Sequence, residues 1–191
     1  MPPNDAGASS ARRHQHWEAI YEQKTPTEVS WYQREPSASL KWIEQRGMPP
    51  DAAVLDVGGG TSMLVDALLA RGYTDTTMLD ISAAALDTSR RRLGLLARVK
   101  WVPADLLTWQ PVATYDLWHD RAVFHLIVTP GDRHRYLQAL RAAVLPGAMG
   151  ILGTFAADGP ERCSGLPVAR YGPHELAAIL GGLEAPQWQA A

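Results

Sequence analysis

Residues 53–62 read AVLDVGGGTS: a short run, apolar but for Asp56, that passes directly into three glycines. A continuous apolar run of that length is the mark of a strand buried on both faces. Glycines at its end allow a tight turn and let a ligand approach the backbone. Such a junction belongs to open parallel sheets, in which ligands sit beyond the carboxyl ends of the strands.

The rest of the chain keeps the same rhythm. A helix is expected from about Ser62 to Arg71, stopped by Gly72, and TTMLD forms a second strand. Ser82 is placed to cap the helix AAALDTSRRRL, VKWVP forms a third strand and YDLWH a fourth. Thr129-Pro130-Gly131-Asp132 combines a capping box with proline at the first helical position. The helix it opens repeats Leu137, Leu140 and Val144 on one face, LPG closes it, and AMGILGTF forms a fifth strand. Further helices are expected from Ser37 to Gly47 and around His174 to Leu180. Strand and helix in alternation predict an α/β fold: a doubly wound, mostly parallel sheet with helices on both faces.

Composition narrows the partners. The 191 residues are 46% apolar and suffice for one domain with a core. Residues 1–12 carry few large side chains and are expected to form a disordered tail, with a single domain over 13–191. The formal charge is −2 and no basic block occurs, so neither nucleic acid nor an acidic membrane surface is an expected partner. No apolar run is long enough to span a bilayer, and the N-terminus lacks the apolar stretch of a secretory signal. The single cysteine, Cys163, excludes an internal disulfide framework and fits the cytoplasm.

Acids stand at three strand ends. Asp56 precedes Gly58 by two residues, where a pyrophosphate would be repelled but an ammonium group and a sulfonium would be welcome. A nicotinamide fingerprint also asks for glycine where this chain has Met63. Asp80, at the end of the second strand, can accept both hydroxyls of a ribose. Asp105, in Pro103-Ala104-Asp105-Leu106, can accept from an adenine amine while the following N–H donates to the ring. Together they fit an adenosine that carries a positively charged tail.

DVGGG, LDIS, PADLL, YDLWHDR and LPGAMGILGTF together resemble the class I S-adenosylmethionine-dependent methyltransferases over about residues 15 to 180. The resemblance implies a Rossmann-like fold, S-adenosylmethionine as cofactor and methyl transfer to a protein lysine or a small molecule. It assigns Gly58, Gly59 and Gly60 to the methionine part, with Asp56 organising the loop or approaching the amino group. Asp80 and Ile81 fall to the ribose, and Asp105 and Leu106 to the adenine. HWEAIYEQKTPTEVSWYQ is similar to the leading segment of lysine methyltransferases that act on an elongation factor and on citrate synthase. In that group an aromatic pair like Trp31 and Tyr32 lies over the cofactor, and the fourth strand ends in an acid followed by a base, as in Asp120-Arg121.

His119, Asp120, Arg121 and His125 allow several roles. A metal site is not expected, because consecutive His119 and Asp120 point to opposite sides of a strand. A helix beginning near Arg121 would put Arg121 and His125 on one face, with Asp120 holding the acceptor. Asp120, Arg121 and His125 are therefore the catalytic candidates, and His119 is assigned to the cofactor side. His125 also reads as an ordinary helix histidine. The loop 158–171 is expected to rim the acceptor through Glu161, Arg162 and Cys163.

Related folds end in an antiparallel hairpin beside the fifth strand, and GGLEAPQWQAA leaves room for one short strand only. The hairpin is thus expected to be missing or shortened. A shortened chain, a second copy covering the exposed edge, or a tail folded back in its place each satisfies that edge. A cofactor-binding relative with little turnover, and an NAD-type oxidoreductase, are the alternative functions.

Overall fold

The computed structural model describes residues 5–29, 31–95, 97–121, 123–180 and 187–190. Six parallel strands form the main sheet: β1 (Ala53–Val57), β2 (Asp75–Asp80), β3 (Val99–Pro103), β4 (Tyr115–Asp120), β5 (Val144–Leu152) and β8 (Gln187–Ala190). Their order is β3-β2-β1-β4-β5-β8. The order reverses between β1 and β4, which makes their carboxyl ends the switch point where such sheets bind ligands. Two short strands, β6 (Arg162–Cys163) and β7 (Leu166–Pro167), form a separate antiparallel hairpin in the C-terminal third.

Strand alternation sorts the core into two layers. Leu55, Val57, Trp118 and Leu152 face one side, where they meet Phe124, Tyr136 and Leu140. Val54, Leu117 and Ile151 face the other, where they meet Leu40, Ile43, Leu64 and Leu68. The covering helices are α2 (Ser37–Gln45), α3 (Leu64–Ala70), α4 (Ala83–Leu93), α5 (Pro130–Ala143) and α6 (Pro173–Leu180). Each large side chain so buried contributes about 1.5–3 kcal/mol. The caps fall where the sequence places them. The Ser82 hydroxyl accepts from the Ala85 N–H at 3.1 Å, and Thr129 accepts from Asp132 at 3.1 Å behind Pro130.

Several expectations are corrected. Where a structureless tail was expected, helix α1 spans Asp5–Gln23. Alanines within residues 5–12 favour a helix there, and the helix is anchored from outside. Glu18 accepts from the Ala84 N–H at 3.2 Å, and Arg13 pairs with Asp105 at 2.6 Å. The helix expected near Arg121 is only a 3-10 turn, Phe124–Leu126, so Arg121 and His125 share no helix face. Val144 belongs to β5, not to the preceding helix: Pro146 disfavours helical backbone at Leu145, and Val144 instead pairs with Tyr115. The edge of β5 is covered by the chain itself. β8 pairs in parallel from Met149↔Gln187 to Leu152↔Ala190, so one strand stands where an antiparallel hairpin is usual. Among the described residues no helix is long and apolar enough to cross a membrane.

Candidate active site

The glycine turn is shaped by its own backbone. Gly58 and Gly60 hold φ of +65° and +49°, a region that only glycine enters freely. Gly59 is restricted by space: a Cβ there would stand 2.6 Å from Met78 Cγ and 2.8 Å from Asp56 Oδ2. Register puts Asp56 beside His119 on neighbouring strands. The His119 Nδ1–H donates to Asp56 Oδ1 at 2.7 Å, and the Ser39 hydroxyl lies 2.8 Å from Nε2. All three side chains are buried. The second carboxylate oxygen of Asp56 is also buried and has no hydrogen-bond partner among the described residues. It faces the glycine turn.

Two hollows meet here. A small recess of about 40 Å³ is lined by Asp56, Gly58, Gly59 and His119, with Trp31 and Tyr32 over it. A cavity of about 830 Å³ adjoins it, sharing Trp31, Gln33, Gly58 and Arg121 in its walls. Asp80, Ile81, Asp105 and Leu106 line one part of this cavity, and His125, Phe155 and Cys163 also line it. Gly60 contributes the bend; its carbonyl accepts from the Ser89 hydroxyl at 2.8 Å.

Electrostatics are set by burial. Asp80 accepts from the Ser82 N–H at 2.8 Å, yet desolvation raises its pKa to about 7. Asp56 and Glu18 nearby push in the same direction. Burial first, and Asp80 second, hold the Tyr21 hydroxyl well above the ordinary phenol range, so it stays neutral beside the glycine turn. Asp105 accepts from Arg13 through Oδ2 and from the Leu107 N–H through Oδ1 at 3.0 Å.

The catalytic expectation for Asp120 is corrected. It is fully buried, and its carboxylate accepts from the Val123 N–H at 2.8 Å, the Phe124 N–H at 3.1 Å and the Tyr136 hydroxyl at 2.6 Å. It holds the turn after β4 and is not among the described residues that line either hollow. Arg121 does reach the cavity wall. Its guanidinium donates to the Trp31 carbonyl at 2.9 Å and to the Gln33 side chain, tying the aromatic segment to β4. His125 is 6% exposed, lines the cavity, and packs edge-on against Phe155 at 4.9 Å. Its Nε2 has no partner among the described residues, and burial pulls its pKa down to about 4. In the rim, Arg162 and Cys163 line the cavity, whereas Glu161 pairs with Arg170 instead.

The contribution of α1 was not foreseen. Arg13, Trp17 and Tyr21 follow one another at four-residue spacing, one turn apart, and all three line the cavity. That spacing in ARRHQHWEAIY was the available signal. Trp17 and Trp31 meet edge to face at 5.9 Å.

Strand order, glycine turn and the acids at the strand ends define the architecture of class I methyltransferases. Residues 54–147 match the family model described as a methyltransferase domain. The EEF1A lysine methyltransferase 2 of Danio rerio is 25% identical over 164 residues, covering 78% of this chain and 70% of that protein. The Mus musculus protein of the same name is 27% identical over 94 residues, 45% of this chain. That match spans only 38% of the mouse protein's length. In fold, the chain resembles the Burkholderia thailandensis 1,6-didemethyltoxoflavin-N1-methyltransferase, solved with 1,6-didemethyltoxoflavin and S-adenosylhomocysteine bound. There the TM-score is 0.71 at 21% identity, over 96% of this chain and 80% of that one. The chain thus carries a methyltransferase domain over residues 54–147 and is similar to class I S-adenosylmethionine-dependent methyltransferases.

The residues present fit that cofactor. The unpartnered buried oxygen of Asp56 suits an ammonium group, and the space a Cβ on Gly59 would need is already taken by Met78 and Asp56. Carboxylates at Asp80 and Asp105 suit hydroxyl and amine donors.

Proposed function

We propose that this chain transfers the methyl group of S-adenosylmethionine directly to a nucleophile held in the 830 Å³ cavity. One observation carries the proposal: a single cavity presents Asp80 and Asp105 at the strand ends and His125 and Phe155 in its wall, beside the recess of the glycine turn. The cofactor supplies an electrophilic methyl group on a sulfonium. In this reading Gly58, Gly59 and Gly60 leave room for the methionine part, and Asp56 accepts from its ammonium. His119 is a positioning residue that holds the Asp56 carboxylate. Asp80 accepts from the ribose hydroxyls beside Ile81, and Asp105 with Leu106 meets the adenine. Trp31 and Tyr32 cover the recess, latched by Arg121, and exclude water. Orientation of this kind can lower a bimolecular barrier by about 7–11 kcal/mol.

The names of the relatives suggest a protein lysine as acceptor, and the bacterial neighbour suggests a small heterocycle. A single domain that includes helix α1 and a cytoplasmic location belong to the same reading; the lone Cys163 supports the latter. Equilibrium binding tests the cofactor. S-adenosylmethionine and S-adenosylhomocysteine should bind at micromolar concentration, about −8 kcal/mol, and NAD not at all. Tight NAD binding would refute the proposal. Incubation of labelled methyl donor with a cell extract, resolved by gel and by small-molecule chromatography, tests turnover.

A further inference from the structure

We infer that the methyl acceptor is a small, largely apolar molecule, neutral or anionic, which presents an O–H or ring N–H to the imidazole of His125, and is not a protein lysine. The inference rests on the proposed methyl transfer and specifies its substrate.

Three features of the cavity support it. The first is size: pockets for one small ligand run about 300–1,000 Å³. The 830 Å³ here, with the adjoining recess, leaves a compartment beyond the cofactor for a second molecule of one or two rings. The second is lining: Trp17, Ile127, Phe155 and Leu166 offer apolar and aromatic wall. The β6–β7 hairpin closes one side, where the Ala169 N–H donates to the His125 carbonyl at 2.7 Å.

The third is charge. Asp80 and Asp105 are the carboxylates among the described lining residues, both at cofactor strand ends, and Asp105 is already paired with Arg13. Asp120 is engaged by the turn after β4 and is not among the lining residues. Beyond the Arg13–Asp105 pair, Arg121 and Arg162 also line the cavity. A lysine ammonium would therefore meet like charges, with no carboxylate to receive it. A neutral or anionic acceptor meets no such penalty.

His125 provides the polar anchor. It lines the cavity wall beside Phe155. Burial keeps the imidazole neutral at physiological pH, and a neutral imidazole offers one ring nitrogen lone pair. In the transfer, the acceptor's heteroatom bonds to the methyl carbon and the electron pair of the broken carbon–sulfur bond stays on sulfur. The acceptor's proton passes to the His125 imidazole. One positive charge leaves sulfur as one arises on the imidazole, so the apolar site holds the same net charge before and after. Release of that proton to water resets the histidine.

A matched pair of probes tests this on the full chain with S-adenosylhomocysteine bound: 2-naphthol, and 2-naphthylmethylamine as its ammonium counterpart, with a lysine peptide as third arm. The naphthol should bind at least tenfold more tightly than the amine and should be methylated when S-adenosylmethionine is supplied. His125→Phe should lower that turnover about a hundredfold with S-adenosylhomocysteine affinity and melting temperature unchanged. Preference for the amine or peptide, or binding of neither ring compound, overturns the inference. The probe comparison needs no variant, so it decides the matter even if His125→Phe fails to fold. Failure to bind S-adenosylhomocysteine at all would instead overturn the methyltransferase proposal.

Discussion

Cofactor affinity should fall as pH falls through 7, and Asp80 should be the reason. Burial raises its pKa to about 7, assisted by Asp56 and Glu18 and opposed by backbone N–H groups of Ser82 and Gly60. Ribose hydroxyls donate, so the carboxylate form is the one that binds them, and binding selects the deprotonated state. Between pH 8 and pH 6 a group of that pKa goes from about nine-tenths ionised to about one-tenth, so affinity should weaken roughly tenfold. The sign for folding is separate. The folded-state pKa lies above the unfolded value of 3.8, so without cofactor Asp80 costs stability increasingly as pH rises from about 4 toward 7. Calorimetric titration of S-adenosylhomocysteine at pH 6, 7 and 8 measures the affinity. Asp80→Asn should bind more weakly at pH 8, by about 1.5–3 kcal/mol, and should lose most of the pH dependence. A wild-type affinity flat across this range, with Asp80→Asn binding equally well, would refute the assignment of Asp80 to the ribose.

Other outcomes follow from the same geometry. Asp120→Ala strands two backbone N–H donors and the Tyr136 hydroxyl in the core, so urea denaturation should show a loss of about 3–5 kcal/mol. Unchanged stability with lost turnover would return Asp120 to catalysis. Gly59→Ala pushes a methyl group against Met78 and Asp56, and cofactor affinity should drop by about 1–3 kcal/mol, read by the same calorimetry. Removal of residues 187–191 uncovers β5 between Met149 and Leu152, so the melting temperature should fall and light scattering on warming should rise. An unaltered melt with no added scattering would show that β8 is dispensable.

The sheet and the placing of its strand-end acids were legible because each rests on local rules. AVLDV, TTMLD and YDLWH lie in buried strands, Ser82 and Thr129 cap as their spacing requires, and the acids fall at the strand ends where alternation puts them. What escaped was decided by contacts distant in sequence. Asp120 looked like a substrate residue by its place after β4, but Tyr136, sixteen residues on, claims its carboxylate. Residues 5–12 looked structureless by composition, yet the Arg13–Asp105 pair spans 92 residues and fixes the helix they begin. Arg121 was assigned to a helix that the Asp120 carboxylate pre-empts by capping a tighter turn.

The buried chain Ser39–His119–Asp56 links α2, β4 and β1 directly beneath the glycine turn. Loops that bind cofactors commonly lose conformational entropy when the ligand arrives, on the order of 1–2 kcal/mol for each residue newly fixed. Here that ordering is completed during folding, since the carboxylate beside the turn is held from two other elements before any ligand enters. Amide protons of Gly58 and Gly59, which donate to the Leu79 carbonyl at 2.8 and 3.2 Å, should accordingly exchange slowly in the free protein. Binding should then carry a small entropic penalty at this end of the cofactor, with the larger share falling on the α1 wall beside Asp105.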